Sequence, residues 1–383
     1  MKAVQIGCGL VGSVIARDLA KEFDVTVVDM DAKALEELRA KAPGVRTLVA
    51  SCVDEAALAP ILADADIVTA GVPGRFGRRM MEIVIGAGKN LSDISFMPED
   101  FEELDGAARE KGVTVLPDIG VAPGMSNFLI GRGAALLDEV EDAVIYVGGI
   151  PEKKIPPFNY QATWSPADVI EEYTRPARYV KDGQPAVMEA MGDLDLKEFP
   201  KVGALETFIT DGLRSLIKNV KAKNMQERTM RWPGHVEQMR LLRSMGLFDE
   251  EKRLMGGVEV VPRDVACGLL FPMWKMDPEQ GDRDLTIMQI KVRGFKGRDE
   301  VTHTWDLFDR FSEAEWTNSM GRCTGCTCAI FARALMKGLV RTKGVVAAER
   351  IAGDDDLYRF VMEEQRKRGL RYEESVSIRK DAR

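Results

Sequence analysis

The N-terminal stretch MKAVQIGCGLVGSVIARDLAKEFDVTVVD constrains the fold more than any other part of the chain. Ala3 to Gly7 is a short apolar run, and Gly7, Gly9 and Gly12 fall in the pattern G-x-G-x-x-G. Val14, Ile15, Leu19 and Phe23 then recur at helical spacing, and Val25 to Asp29 reads as a second strand closing on an acid. Gly7 allows a tight turn, Gly9 lets the backbone approach a pyrophosphate, and Gly12 lets helix and strand pack closely. The helix N-terminus offers N–H groups and a positive dipole end to phosphate. Asp29 suits ribose hydroxyls and repels a 2′-phosphate, so NAD is expected over NADP. A glycine-rich turn with no dinucleotide is the competing explanation. The strand before, the helix after and the acid ending the next strand weigh against it.

The strand–helix rhythm continues. VRTLVASCVD, DIVTAGVPG, LSDIS and VTVLPD read as further strands, separated by helical segments. Six strands alternating with helices predict an α/β domain with a doubly wound, parallel Rossmann-type sheet. Ligands bind such sheets at the carboxyl ends of the strands. The expected cofactor contacts are therefore Gly7, Gly9, Leu10, Val11 and Gly12, then Asp29 and Met30. Cys52, Val53 and Asp54 are expected near the adenine, and Val72 and Pro73 nearer the nicotinamide. Asp93 and Asp118 also lie at strand ends.

After Gly124 the rhythm stops. AVIYVGGIP, ALETFIT and QERTMRW read as strands, ARYVKDGQPAVM and DLTIMQIKVRGFKGRDEVTHTWDLFD as hairpins, and PGHVEQMRLLRSMG and PRDVACGLLFPMW as helices, with a further helix from Gly212. This predicts a second, mixed α+β domain that binds substrate and dimerises. The expected division is 1–123 for the dinucleotide domain, 124–319 for the substrate and dimerisation domain, and 320–383 for C-terminal helices returning to the first. FVMEEQRKRG reads as the final amphipathic helix.

A net charge of -8 argues against a nucleic-acid groove, and no apolar run is long enough for a bilayer. The apolar N-terminus resembles a signal peptide, but glycines interrupt it and no cleavage site follows. Six cysteines in so long a chain without a secretory signal are not a disulfide framework, so a cytoplasmic address is expected. Cys323, Cys326 and Cys328 cluster in CTGCTC, but a zinc site needs four ligands and no partner pair exists elsewhere. Small residues on a buried helix explain them better, and no metal is expected.

Only two histidines are present. His235 follows RWPG at a strand-to-helix junction, where functional residues concentrate. His303 sits in an alternating strand and reads as a packing or surface residue. Arg214 and Arg231 are candidates to hold a carboxylate through the guanidinium fork, whereas Arg175 and Arg178 read as surface ion pairs.

GCGLVGSVIARDL, GVTVLPDIGVAPGMSN, VIYVGGIP, GALETFITDGL, MRWPGHVEQMRLL and VVPRDV run through nearly the whole chain. On these stretches it resembles the saccharopine dehydrogenase-like family, and within it the lysine 6-dehydrogenase branch. The resemblance implies NAD-dependent oxidative deamination of an amino-acid side-chain amine, foremost the ε-amine of L-lysine. Hydride leaves readily only when the nitrogen lone pair is free, so a group must accept the proton of an ammonium with a pKa near ~10. Asp118 and His235 are the candidates for proton acceptor and water activator. Arg214 or Arg231 would bind the α-carboxylate, and Asp93 or Glu206 the amine. The expected partners are a small amino acid or amine and, in a homodimer or dimer of dimers, further copies of the chain. A saccharopine- or carboxynorspermidine-type secondary-amine dehydrogenase and a non-catalytic NAD-binding sensor remain as alternatives.

Overall fold

The β-branched runs of the first 116 residues form strands in the computed structural model, which describes residues 1–382. These are β1 (Lys2–Ile6), β2 (Asp24–Asp29), β3 (Arg46–Val49), β4 (Ile67–Ala70), β5 (Leu91–Asp93) and β6 (Thr114–Leu116). Helices α1 (Gly12–Leu19), α2 (Ala32–Lys41), α3 (Glu55–Ala63), α4 (Gly74–Gly86) and α5 (Asp105–Glu110) connect them, and α6 (Met125–Leu136) follows. Strands β1, β4, β5 and β6 are buried along nearly their whole length, which is why they read as continuous apolar runs rather than alternating ones. Val14, Ile15 and Leu19 are the buried stripe of α1.

The middle of the chain contains β7 (Glu139–Pro151), α7 (Pro166–Thr174), β8 (Ala177–Lys181), β9 (Gln184–Met188), β10 (Asp195–Phe199), β11 (Gly203–Thr210), α8 (Leu216–Asn219), β12 (Ala222–Arg231) and α9 (His235–Ser244). It continues through β13 (Arg253–Met255), β14 (Val258–Val260), α10 (Pro262–Trp274), β15 (Asp284–Lys296) and β16 (Asp299–Arg310). The chain ends with α11 (Ser319–Met336), β17 (Gly344–Val345), α12 (Ala348–Ile351), α13 (Asp355–Lys367) and β18 (Tyr372–Arg379).

Two units result. The first comprises Met1–Leu137 and Gly321–Tyr372, and the second residues 138–320 and those from 373 onward. The first holds a seven-stranded parallel sheet in the order β17-β6-β5-β4-β1-β2-β3, with a core of Ile6, Val68, Met80, Met81, Val84, Leu91 and Val115. The second holds a nine-stranded sheet along β10-β11-β12-β7-β15-β16-β18, with β8 and β9 attached through β12. There β12 runs parallel to β7, while β15 and β16 form the long hairpin. A separate core of Tyr160, Val169, Tyr173, Phe208, Val236, Met239, Leu270 and Trp274 packs α7, α9 and α10 together.

The structure corrects several expectations. The parallel sheet has seven strands, because Gly344 and Val345 return to pair with Thr114 and Val115. A two-residue strand has no periodicity to read. Strand β3 stops at Val49, so Cys52 and Val53 lie in a turn and Asp54 caps α3. The helix expected from Gly212 is the short α8 alone. The first unit extends to Leu137 and includes α6, whose early residues Met125 to Ile130 are buried. The chain does not end on α13, since Tyr372–Arg379 adds an edge strand to the second sheet. Among the described residues, no helix is long and apolar enough to cross a membrane.

Candidate active site

In the first unit the glycine loop has the shape a pyrophosphate requires. Gly7 has φ 97°, and a Cβ there would lie 2.3 Å from the Gly71 carbonyl oxygen. A Cβ at Gly12 would lie 2.2 Å from the Gly7 oxygen, whereas one at Gly9 would meet nothing within 4 Å. Gly7 and Gly12 are thus packed and Gly9 faces open space, which is the division of labour expected for backbone approach to phosphate. Leu10, Met30 and Val49 are large apolar residues left exposed around the ends of β1, β2 and β3. The residues present fit a dinucleotide.

Asp29 ties this loop down: its carboxylate accepts the Cys8 N–H at 2.5 Å and the Asp31 N–H at 2.8 Å. Burial pushes the Cys8 thiol up to about 12, helped by the charges of Asp29, Asp31 and Glu37. Cys8 is therefore a protonated spacer in an acidic neighbourhood. Asp54 is spent on the Ala57 N–H at 3.1 Å, and burial raises the Cys52 thiol. Pro73 is the N-cap residue of α4, and the Val72 N–H donates to Ser95 Oγ at 3.2 Å.

The carboxyl ends of β5 and β6 bring Asp93 and Asp118 into one electrostatic neighbourhood. Asp93 is fully buried; its Oδ1 accepts the Ser95 hydroxyl at 2.7 Å, and its Oδ2 has no hydrogen-bond partner among the described residues. Burial pushes the Asp93 carboxyl up to about 8, and the charge of Asp118 adds to the rise. Asp118 is buried with φ 52°, and the next N–H, that of Ile119, donates to the Asp93 carbonyl at 2.8 Å. Cys328 lies close by. Its thiol is held well above the usual range by burial, with Asp93 contributing, and it packs against Ser92.

The loop after Asp118 is closed by its own backbone. Gly120 N–H donates to Pro123 O, Met125 N–H to Gly120 O and Ser126 N–H to Val121 O, at 2.8 to 3.0 Å. Gly124, at φ 128°, lies so close to Gly120 that a Cβ would be 2.2 Å from its oxygen. Two of the leading N–H groups of α6 are therefore committed to the loop rather than to a ligand.

The second unit gathers His235, Arg231 and Glu206. His235 is the first residue of α9 and is fully buried, not a loop histidine. Nδ1 lies 2.9 Å from the Phe158 carbonyl, which can only accept, so Nδ1 carries the proton. Nε2 then accepts the Tyr173 hydroxyl at 2.8 Å, and Tyr173 in turn accepts Arg231 Nε–H at 3.2 Å. Burial, and after it the Arg231 charge, lowers the His235 pKa to about 3, against a small opposing effect of the Phe158 bond. Arg231 also donates to Glu172 at 2.5 Å and to Met230 O at 3.0 Å. Its guanidinium stands 4.9 Å from the Tyr160 ring centroid. Glu206 accepts Gly234 N–H at 2.8 Å and Val236 N–H at 3.2 Å, so its carboxylate caps α9.

Arg214 is buried at φ 51° in the segment before α8. Arg178 pairs bidentately with Asp211 at 2.7 and 2.9 Å, and Arg175 pairs with Glu171. Cys323, Cys326 and Cys328 lie buried on α11, and among the described residues no group of three or more His, Cys, Asp or Glu could hold a metal. The sequence reading did not single out Tyr160, Glu172, Tyr173 or Trp274. For Tyr160, Glu172 and Tyr173 the signal available was the aromatic and polar run FNYQATWSPADVIEEY, which has no strict period; Trp274 lies outside it, at the end of PRDVACGLLFPMW.

Family models match both parts of the chain: the saccharopine dehydrogenase NADP binding domain over residues 3–116 and the saccharopine dehydrogenase C-terminal domain over residues 120–370. The chain belongs to the saccharopine dehydrogenase family. It is a nicotinamide-dependent oxidoreductase acting on carbon–nitrogen donors. Saccharopine dehydrogenase [NADP(+), L-glutamate-forming] of Schizosaccharomyces pombe is 24% identical, over 93% of this chain and 94% of that protein. Bovine mitochondrial alpha-aminoadipic semialdehyde synthase is 26% identical over 36% of this chain and 15% of its own length. The apo saccharopine dehydrogenase (L-Glu forming) of Saccharomyces cerevisiae shares the fold, with a TM-score of 0.81 at 19% identity over 98% of this chain and 99% of that one.

Proposed function

We propose that this saccharopine dehydrogenase family member oxidises the ε-amine of L-lysine with NAD, releasing ammonia after imine hydrolysis. The observation that carries the reading is the Asp93 carboxyl, buried at the end of β5 with one oxygen unpartnered among the described residues, beside Asp118. Bound over the glycine loop, the dinucleotide supplies the hydride acceptor. The chain must supply a base that frees the amine lone pair and a carboxylate that attracts the ammonium. Asp118 takes the first role and Asp93 the second. A cation opposite Asp93 favours its charged form, so amine binding draws off the proton that burial keeps on it below pH about 8.

The sign for stability follows. The folded-state Asp93 pKa lies above its unfolded value, so the native state loses stability as pH rises from about 4 to about 8. Asp93→Asn removes that cost. The variant is expected to melt higher than the parent at pH 8 while its KM for the amine rises about tenfold or more and loses its dependence on pH near 8. An unchanged KM across pH 7 to 9 rules out Asp93 as the amine site.

His235 is a positioning residue in this reading. Its neutral ring holds the Tyr173 hydroxyl, and Tyr173 holds Arg231, the buried cation suited to a carboxylate. His235→Ala should raise the KM for lysine more than it lowers kcat, and no inflection near pH 6.5 should appear in the parent's rate profile. A parent profile with that inflection, lost in His235→Ala, would return proton transfer to His235.

NAD preference is supported by Asp29, with Asp31 and Glu37 adding negative charge around the same loop. A 2′-phosphate there meets like charge, worth about 1–4 kcal/mol at close range. Asp29→Ser is expected to lower the ratio of kcat/KM for NAD over NADP by about tenfold or more. A parent enzyme that prefers NADP excludes this assignment. The curated relatives favour a second reading, a dehydrogenase of saccharopine with NADP. Incubation with L-lysine and NAD, and separately with saccharopine and NADP, divides the two: ammonia forms in the first and glutamate in the second. Dinucleotide binding without turnover of any amine would leave the sensor.

A further inference from the structure

Helix α4 begins with Arg75, Arg78 and Arg79 in its first turns. Arg78 pairs with Glu103 and, at 3.3 Å, with Glu82. Arg79 pairs with Glu55 at 2.8 Å and with Glu82 at 3.6 Å. Arg75 is exposed and has no carboxylate partner among the described residues. Its guanidinium carbon stands 4.6 Å from the centroid of the Phe76 ring. Phe76 thus takes one side of the flat group and leaves the other open. The stem is fixed, because a Cβ on Gly74 would lie 2.3 Å from the Phe96 carbonyl oxygen, a contact that seats the start of α4.

The helix sets where Arg75 stands. Arg79 lies four residues further on, on the same face, and its partner Glu55 is the first residue of α3. One turn back, about 5.4 Å toward the helix N-terminus, Arg75 comes level with the turn of Cys52 to Asp54 that precedes Glu55. Cys52 and Phe76 pack on the same apolar core. Burial raises the Cys52 thiol; among the nearby charges Asp29 adds to the rise and Arg75 opposes it, so both reach this turn. In the parallel sheet β4 and β3 flank β1 and β2. Arg75, after β4, and the Cys52 turn, after β3, therefore bracket the glycine loop and Asp29.

We propose that Arg75 recognises the adenine of the dinucleotide, laying the open face of its guanidinium on the base. The inference concerns the cofactor unit alone and is independent of which amine the enzyme oxidises. Phosphates are already served by the glycine loop and the start of α1, on β1. A guanidinium held against an aromatic ring presents a flat face, which suits a second flat π-system better than a tetrahedral anion. Asp29 is committed to the Cys8 and Asp31 N–H groups, so it leaves the cation of Arg75 to the ligand. The stack does not sense the ribose 2′ position. It adds affinity for NAD and NADP alike, and the choice between them stays with Asp29.

Isothermal titration calorimetry of the full chain with NAD, NADP and ADP-ribose tests this. Arg75→Ala is expected to raise the Kd for NAD and for ADP-ribose equally, by about tenfold, and to leave the ratio of the NADP and NAD values unchanged. Arg75→Lys keeps the charge without the flat face, so its Kd for NAD should stay at least about threefold above the parent's. Arg78→Ala, which removes a paired arginine of the same helix, should bind as the parent does. A Kd for NAD within about twofold of the parent's in Arg75→Ala overturns the proposal, as does a loss confined to NADP or a full recovery in Arg75→Lys. A parent that binds none of the three overturns it together with the cofactor assignment.

Discussion

Asp118→Asn is expected to lower kcat for amine oxidation by about 10²- to 10⁴-fold, the range for losing a positioned proton acceptor, while leaving the Kd for NAD within about twofold. The substitution preserves shape, so the closed loop of Gly120 to Ser126 should keep its backbone bonds. Following nicotinamide absorbance with L-lysine between pH 7 and 10.5 checks the expectation. Because an amide cannot take the ammonium proton, the residual rate should climb with pH as solution deprotonates the amine, approaching the parent near its pKa of ~10. A loss under tenfold at every pH would leave Asp118 with only the task of shaping the turn. Its φ of 52° already shows that the turn makes a demand on it.

Asp18→Ala is expected to cost about 3–5 kcal/mol, because it strands two buried cations. Asp18 on α1 receives Arg333 at 2.7 Å and Arg368 at 2.9 Å, and Arg333 also donates to the Asp18 carbonyl at 2.8 Å. All three side chains are at most one-tenth exposed. Burial pushes the Asp18 carboxyl up, but the hydrogen bond from Arg368 and the charges of Arg333, Arg368 and Lys21 outweigh it and hold it below the usual range. The stabilisation is therefore fully present above the unfolded-state pKa of ~3.9 and is lost as pH falls through the depressed folded value. Thermal melts should show a gap of roughly 5 °C between parent and variant at pH 7 that narrows below pH 4. Asp18→Leu with both Arg333→Met and Arg368→Met should recover much of the loss, since an apolar replacement of a whole buried ionic group is close to neutral. A melt shift under 2 °C at pH 7 would mean that Arg333 and Arg368 find other partners in Glu22 and Glu364.

Most of the cofactor unit is legible in the sequence because local rules act there without competition. Buried parallel strands must be apolar runs, and a phosphate-binding turn must leave space at Gly9. The same rules fail where one residue has several outlets for its hydrogen bonds. Asp54 and Glu206 stand where ligands are expected, yet both cap helices. The N–H groups after Pro123-Gly124 look available in sequence and are taken by Gly120 and Val121. His235 follows a Pro-Gly turn, the usual mark of an exposed loop, but α9 turns it inward under Trp274, Tyr160 and Tyr173.

The sequence by itself determined the parallel sheet, the glycine loop, the acid that ends β2 and the place of Asp93 and Asp118 at the carboxyl ends of β5 and β6. Each of these depends on neighbours within a few residues, or on a period of two or 3.6. Tertiary structure alone decided the ionisation of these groups. The proton on Asp93, the neutral ring of His235 and the charge of Asp18 depend on which side chains distant in sequence remove water or bring a counter-charge. Arg333 and Arg368 reach Asp18 from more than three hundred residues away. No spacing rule connects such positions, because burial and Coulomb energy depend on distance in space and not along the chain.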